Sequence, residues 1–321
     1  MVHESVVSCI GHTPLVYLRR LFPEHGLDVI AKLEFLNPGG SIKDRPARYI
    51  IEQGLRDGTI KPGSHLIESS SGNFGIALAM VARIYQLTFT CVVDPKISPT
   101  NLQILRHFGA NIEMVQAPDQ HGGYLKTRIA HVHTLLATMP HSLWVNQYAN
   151  QLNWQAHYYH TGTEIIADLD RPIDCLIIGV STTGTITGIA RRLRQEYPRL
   201  RVIAVDAVGS VIFGAPGGAR ELPGIGASRV PELLNRAEID EVIYADDSEA
   251  VQACRDLVGV EGIFAGASSG SVIAAIRKLV PTFPTPYRVL TVFPDRGDRY
   301  IDMIYSDAWV NRLGLLDTAL P

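Results

Sequence analysis

Short apolar or β-branched runs recur along the chain, at 28–35, 65–68 (HLIE), 87–93 (LTFTCVV), 111–115, 174–180 (DCLIIGV), 201–206 (RVIAVD) and 288–293 (RVLTVF). Several are followed by segments whose apolar residues return every three or four positions, at 44–56, 74–85, 99–108, 185–197 and 269–279. The runs predict strands and the periodic segments predict helices. Strands that alternate with helices build mostly parallel sheets covered by helices on both faces, so the predicted fold class is α/β. The unbroken apolar stretch CLIIGV fits a central strand buried on both sides. The segments APGGARELPG (215–224) and PTFPTPY (281–287) are predicted loops.

A chain of 321 residues is long enough for two lobes or one large α/β unit. A hydrophobic share of 46% and a charged share of 19% describe an ordinary soluble globular protein. The formal charge of −3 provides no basic field for a polyanion, which argues against nucleic acid as a partner. No uninterrupted apolar span is long enough for a bilayer, and the opening MVHESVVSCIGHTPL lacks the basic-then-apolar pattern of a signal peptide. A cytoplasmic protein with no membrane partner is expected. Cys9, Cys91, Cys175 and Cys254 are far apart, and Cys91 and Cys175 lie in strand-like runs where reduced, buried thiols are expected. No metal site is expected, since the histidines are scattered and the pair in HVH (131–133) splits a helix face.

Parallel sheets bind ligands beyond the carboxyl ends of their strands, where helices begin with free N–H groups that attract anions. Three such turns carry small polar side chains around glycines: ESSSGNFGIA (68–77), GVSTTGTITG (179–188) and EGIFAGASSGSV (261–272). The second has Gly179 and Gly184 in P-loop spacing, but Thr185 stands where that motif requires lysine, and no Gly-x-Gly-x-x-Gly follows the strand. What remains, Ser181, Thr182, Thr183, Gly184 and Thr185, suits either a single phosphate or a plain helix cap. In the first turn, the donors from Ser69 to Asn73 suit either a carboxylate held by neutral groups or a capped helix. The third turn also reads as close packing of a helix on a sheet. A further stretch, NPGGSIKDRPARY (37–49), sets a single lysine, Lys43, after a glycine pair at the mouth of a predicted helix. That lysine is either a solvated helix-start residue or a functional amine.

In their order and spacing, IGHTPLVYL, KLEFLNPGGSIKDRPA, SSSGNFGIALA, TTGTITG, GIGASRVP, EGIFAGASSGS and FPDRGDRY resemble the β-family (fold type II) of pyridoxal-phosphate enzymes. That family includes cysteine synthase and cystathionine β-synthase, and the resemblance spans nearly the whole chain. It implies a two-lobed, tryptophan synthase β-like fold. A smaller lobe at 36–147 would close over substrate, and a larger one, 1–35 plus 148–321, would hold pyridoxal 5'-phosphate in the cleft. A homodimer is implied as well. Lys43 would be the Schiff-base lysine and the base at Cα. Asn73 would bond the cofactor's ring oxygen, residues 181–185 would cradle its phosphate, and Ser268 would face the pyridine nitrogen. A neutral hydroxyl there leaves the nitrogen largely unprotonated and suits β-elimination. Ser70, Ser71 and Gly72 would hold the substrate α-carboxylate, with Gln147 nearby.

Two loops depart from the family pattern. Many relatives have Gly-Thr-Gly-Gly-Thr where this chain has Ser181-Thr182-Thr183-Gly184-Thr185, which implies tighter backbone geometry offset by extra hydroxyls. Many have Thr-Ser-Gly-Asn-Thr-Gly where this chain has Phe74 at the second Thr. A bulky ring beside the substrate loop would point away from plain cysteine synthase specificity. The segments DPKISPTN, HGGYLKTRIA, VNQYANQLNWQAHY, GSVIFG, RELPGIGASRVPE and PDRGDRYIDMIYSD resemble one branch of the family. Its members join O-phospho-L-serine to L-glutamate on the route to 2,3-diaminopropionate, a building block of siderophores such as staphyloferrin B. Two anionic substrates need cationic or N–H-rich receptors; Arg128, Arg229 and Arg296 are candidates, and each also reads as a solvated surface arginine. Tyr148 would either cover the cofactor face or belong to the core. Residue spacing does not separate glutamate from another amine. An O-acetylserine or O-phosphoserine sulfhydrylase is the alternative within the family, and a cofactor-free metabolite-binding or regulatory relative the alternative outside catalysis.

Overall fold

The computed structural model describes residues 2–119 and 123–316; His121 and Gly122 of the branch-like segment HGGYLKTRIA lie outside them. The elements run β1 (Leu15–Tyr17), β2 (Leu27–Leu33), α1 (Asp44–Asp57), β3 (His65–Ser69), α2 (Asn73–Ile84), β4 (Thr88–Val93), α3 (Pro99–His107), β5 (Asn111–Met114), α4 (Leu125–Thr138) and β6 (Ser142–Trp144). They continue with α5 (Gln151–Ala156), α6 (Thr163–Asp168), β7 (Cys175–Gly179), α7 (Gly184–Glu196), β8 (Arg201–Ala207), β9 (Glu241–Ala245), α8 (Asp247–Asp256), α9 (Ala267–Leu279), β10 (Tyr287–Phe293) and α10 (Asp307–Arg312). Each predicted strand and helix is present, with ends shifted by two residues or fewer. The strands without a prediction are β1 and β6, three residues each, and β9, whose residues are mostly half-buried. Short or half-exposed strands lack the apolar run that marks the others.

The strands form two sheets. One has the order β1-β2-β10-β7-β8-β9, with β1 antiparallel to β2 and the remaining pairs parallel. The other, β5-β4-β3-β6, is wholly parallel. In the six-stranded sheet alternate residues serve two separate cores. Val29, Cys175, Ile177, Val205 and Val289 pack on the side of α9, while Ile30, Leu176, Ile178, Val202 and Leu290 pack on the side of α7. Burial on both faces is why these strands read as continuous apolar runs. The four-stranded sheet is covered by α1 and α2 on one side and by α4 on the other.

The two sheets meet near the carboxyl end of β10. The Ile42 N–H donates to the Pro294 carbonyl at 2.8 Å, and Ser41 bridges to Asp295. A buried ionic cluster holds the start of α1 in place. Arg45 donates to Glu34 and to Glu164, each at 2.6 Å, and Lys32 lies 3.2 Å from Glu164 and from Asp168. Among the described residues no helix is long and apolar enough to cross a membrane.

Candidate active site

Three helix starts and the segment after β10 converge where the sheets meet. The first is the turn into α1. Gly40 has φ of +79°, which favours glycine, and the Gly39 N–H donates to the Asp44 carboxylate at 2.5 Å. This turn delivers Lys43 to the residue before α1. Burial pushes the Lys43 amine down to about 8, with the Asp295 carboxyl acting in the opposite direction.

The second is the turn from β3 into α2. Ser70 Oγ accepts the Gly75 N–H at 3.0 Å, so that hydroxyl is engaged within the turn. Ser71 Oγ accepts from Arg128 Nη1 at 2.8 Å, and Asn101 Nδ2 donates to the Ser71 carbonyl at 3.1 Å. Gly72 faces open space. Below the turn, burial raises the Glu68 carboxyl to about 8, with the N–H groups of Gln147, Asn146 and Ser69 acting against it. Gln147 is itself buried, and its carbonyl accepts from Asn153 at 2.7 Å. Asn73 opens α2 with its amide caught between two groups of the post-β10 segment. Nδ2 donates to Asp295 Oδ2 at 2.7 Å, and Oδ1 accepts from Arg299.

The third is the turn from β7 into α7. Thr183 lies in the left-handed region, φ 63° and ψ −6°. Its side chain is buried, and Oγ1 has no hydrogen-bond partner. Thr182 Oγ1 accepts from Asn153 Nδ2 at 3.3 Å, and Thr185 Oγ1 lies 3.3 Å from His157 Nε2. Burial holds the His157 imidazole well below its ordinary pKa, and the charges of Lys43 and Arg45 push the same way. A Cβ on Gly184 would fall 2.6 Å from Asn153 Oδ1, so glycine is a steric requirement there.

Tyr148 links two of these turns. Its phenol is raised by burial, while a hydrogen bond with Ser181 and the charges of Arg128 and Arg229 oppose the shift. Arg229 lies 5.3 Å over the Tyr148 ring and pairs with Glu232. Ser268, buried in the first turn of α9, follows Gly266, whose N–H donates to the Asp295 carbonyl at 2.9 Å. Lys43, Asn73, Ser71, Tyr148 and residues 181–185 are therefore joined through shared neighbours.

Two expectations change. Phe74 follows the 70–73 turn, but its ring is not exposed above it. It is 2% exposed and packs in the core under α1 and α2, because the second position of α2 faces inward. Arg296 is not drawn into the cluster; its side chain is 53% exposed and paired with Asp298. Asp295, Arg299 and Tyr300 belong to the motif FPDRGDRY, whose individual side chains have no role legible in the sequence. Their signal was a charged cluster directly after a buried strand.

Residues 6–295 match the family described as pyridoxal-phosphate dependent enzyme. The chain is 61% identical over 313 residues to N-(2-amino-2-carboxyethyl)-L-glutamate synthase of Ralstonia nicotianae, and 60% identical over 316 residues to the protein of that name in Cupriavidus metallidurans. Each match covers 98% of this chain and 93% of the relative. Among solved structures, the O-acetylserine dependent cystathionine β-synthase of Helicobacter pylori superposes with a TM-score of 0.89 at 33% identity, covering 95% of this chain and all of that one. With sequence and architecture matching over most of its length, the chain belongs to the pyridoxal-phosphate-dependent enzyme family, on the fold type II scaffold.

Proposed function

We propose that this enzyme is a β-replacement transferase that condenses O-phospho-L-serine with L-glutamate to N-(2-amino-2-carboxyethyl)-L-glutamate and phosphate, for 2,3-diaminopropionate and siderophore biosynthesis. Two relatives, at 61% and 60% identity, carry that product's name. The observation that carries the catalytic reading is that His157 feels the charge of the buried amine Lys43 and lies 3.3 Å from Thr185 Oγ1, in an anion cradle that holds a buried, unpartnered hydroxyl, Thr183. The described residues 181–185 include no acidic side chain, so they fit a phosphate group. An amine brought down to about 8 has a usable neutral fraction near pH 7 for attack on an aldehyde. Those features fit pyridoxal phosphate.

When bound, the cofactor supplies an electron sink for negative charge at the substrate Cα. Lys43 holds it and moves the Cα proton. Ser181, Thr182, Thr183, Gly184 and Thr185 receive its phosphate, Asn73 donates to its ring oxygen, and Ser268 offers the ring nitrogen a neutral hydroxyl. Ser70, Ser71, Gly72 and Gln147 take the substrate α-carboxylate. Arg128, which donates to Ser71 Oγ and pairs with Asp94 at 3.2 Å, holds the turn where the anionic substrate enters, and Arg229 lies over Tyr148. Residues 36–147, which contain the four-stranded sheet, form the lobe that closes; 1–35 and 148–321 form the lobe that holds the cofactor. The enzyme works as a cytoplasmic homodimer on small amino acids.

The test is the visible spectrum of the holoenzyme. A yellow band that changes with O-phospho-L-serine and returns with L-glutamate supports the proposal. A change with O-acetyl-L-serine that sulfide reverses and glutamate does not would make the protein a cysteine synthase. A protein that stays colourless after incubation with the cofactor would be a non-catalytic relative.

A further inference from the structure

We infer that Asp295 and Arg299 are positioning residues that orient the Asn73 amide, so that its nitrogen and not its oxygen is presented to the cofactor. The inference rests on the reading above that Asn73 meets the cofactor's ring oxygen. A free asparagine amide can present either end, and only the oxygen-accepting end repels an oxygen on the ligand. Arg299 has donors only, so the atom it touches on Asn73 must be Oδ1. Asp295 Oδ2 accepts, so the atom it touches must be Nδ2. The two contacts agree, and together they remove the rotational ambiguity of the amide. Nδ2 carries two hydrogens. One is on Asp295 and the other is left to donate.

The clamp is itself held. Asp295 is 1% exposed, and the buried Tyr300 hydroxyl donates to the same Oδ2 at 2.6 Å. Oδ1 has no partner and is wedged against α9, where a Cβ on Gly266 would lie 2.1 Å from it. The carboxyl therefore cannot rotate without displacing the start of the Ser268 helix. Arg299 also donates to the Gly39 carbonyl, in the turn that carries Lys43. One pair of side chains thus connects Asn73, the lysine turn and the α9 terminus.

The experiment measures the dissociation constant of pyridoxal phosphate for the apoenzyme, and the absorption maximum of the bound cofactor, in the wild type, D295A, D295N, R299M, N73A and the N73A/D295A double variant. Loss of a hydrogen bond to a charged partner predicts about tenfold weaker binding for N73A and D295A, with similar shifts of the maximum. D295N keeps an acceptor, so it should stay within about threefold of wild type. In the N73A background, D295A should add less than about twofold, since the partner it orients is gone. Equal weakening by D295A in both backgrounds overturns the inference, and so does a D295N as weak as D295A, which would mark a charge effect on Lys43. If D295A fails to fold, R299M carries the same prediction: a loss that vanishes beside N73A supports the inference, and a loss that persists overturns it. An N73A protein that binds like wild type removes the underlying reading along with the inference. A weak N73A with an uncoupled D295A removes the inference alone.

Discussion

Thr183 places a β-branched side chain in a conformation that costs about 1–2 kcal/mol for an L-residue, and it buries a hydroxyl with no partner. Thr183→Ala keeps the backbone strain and removes that hydroxyl. The relieved desolvation, about 1–3 kcal/mol, outweighs or matches the lost methyl burial of about 0.8 kcal/mol. The apoenzyme should therefore unfold in urea at the wild-type concentration or slightly above. A hydrogen bond to a charged phosphate is worth about 1.5–3 kcal/mol, so the cofactor should bind about tenfold to a hundredfold more weakly. Thr183→Ser should restore most of the affinity. Thr183→Gly should relieve the strain, less about 0.4–1 kcal/mol for the freer unfolded chain, and lose affinity as Ala does. A Thr183→Ala apoenzyme destabilised by more than about 2 kcal/mol, with cofactor affinity unchanged, would mean instead that the hydroxyl serves the fold and not the phosphate.

Glu68 has a folded pKa of about 8, raised by burial from 4.5, so between those values the folded state binds the extra proton. Its contribution to stability is present below the unfolded pKa and is lost as pH rises through about 8, and Glu68→Gln should flatten that decline in urea midpoints measured from pH 5 to 9. Arg45→Met leaves the fully buried Glu34 carboxylate without its ion-pair partner, with only the neutral donors Thr13 and Asn37 on it, and should cost about 3–5 kcal/mol in equilibrium unfolding. Phe74→Ala should cost about 3–5 kcal/mol as a core truncation. Its ratio of turnover with glutamate to turnover with sulfide should stay at the wild-type value, and a changed ratio would return Phe74 to the substrate space.

Much of the site was visible along the chain because each part is local. A helix that starts at the carboxyl end of a parallel strand has to solve its N–H groups within a few residues, so the turns at 70–73 and 181–185 and the lysine turn at 39–43 advertise themselves in composition. What composition leaves open is the direction of each side chain. Arg128 and Arg296 looked alike in sequence. The structure sets one on Ser71 and leaves the other at the surface with Asp298. Phe74 next to Asn73 reads as a loop residue until the phase of α2 against its core is known.

The sequence by itself determined the α/β class, the positions of β2–β5, β7, β8 and β10 and of α1–α3, α7 and α9, and the turns that carry Lys43, Asn73 and Thr183, because hydrophobic period and turn chemistry are local properties. Only the tertiary structure decided which of those residues share neighbours. Asn73 meets Asp295 across 222 positions and Arg299 across 226, contacts made when the end of β10 docks against the start of α2. Such pairs depend on how two sheets are set against each other, a relation that is summed over every packed residue and written in no single stretch of chain.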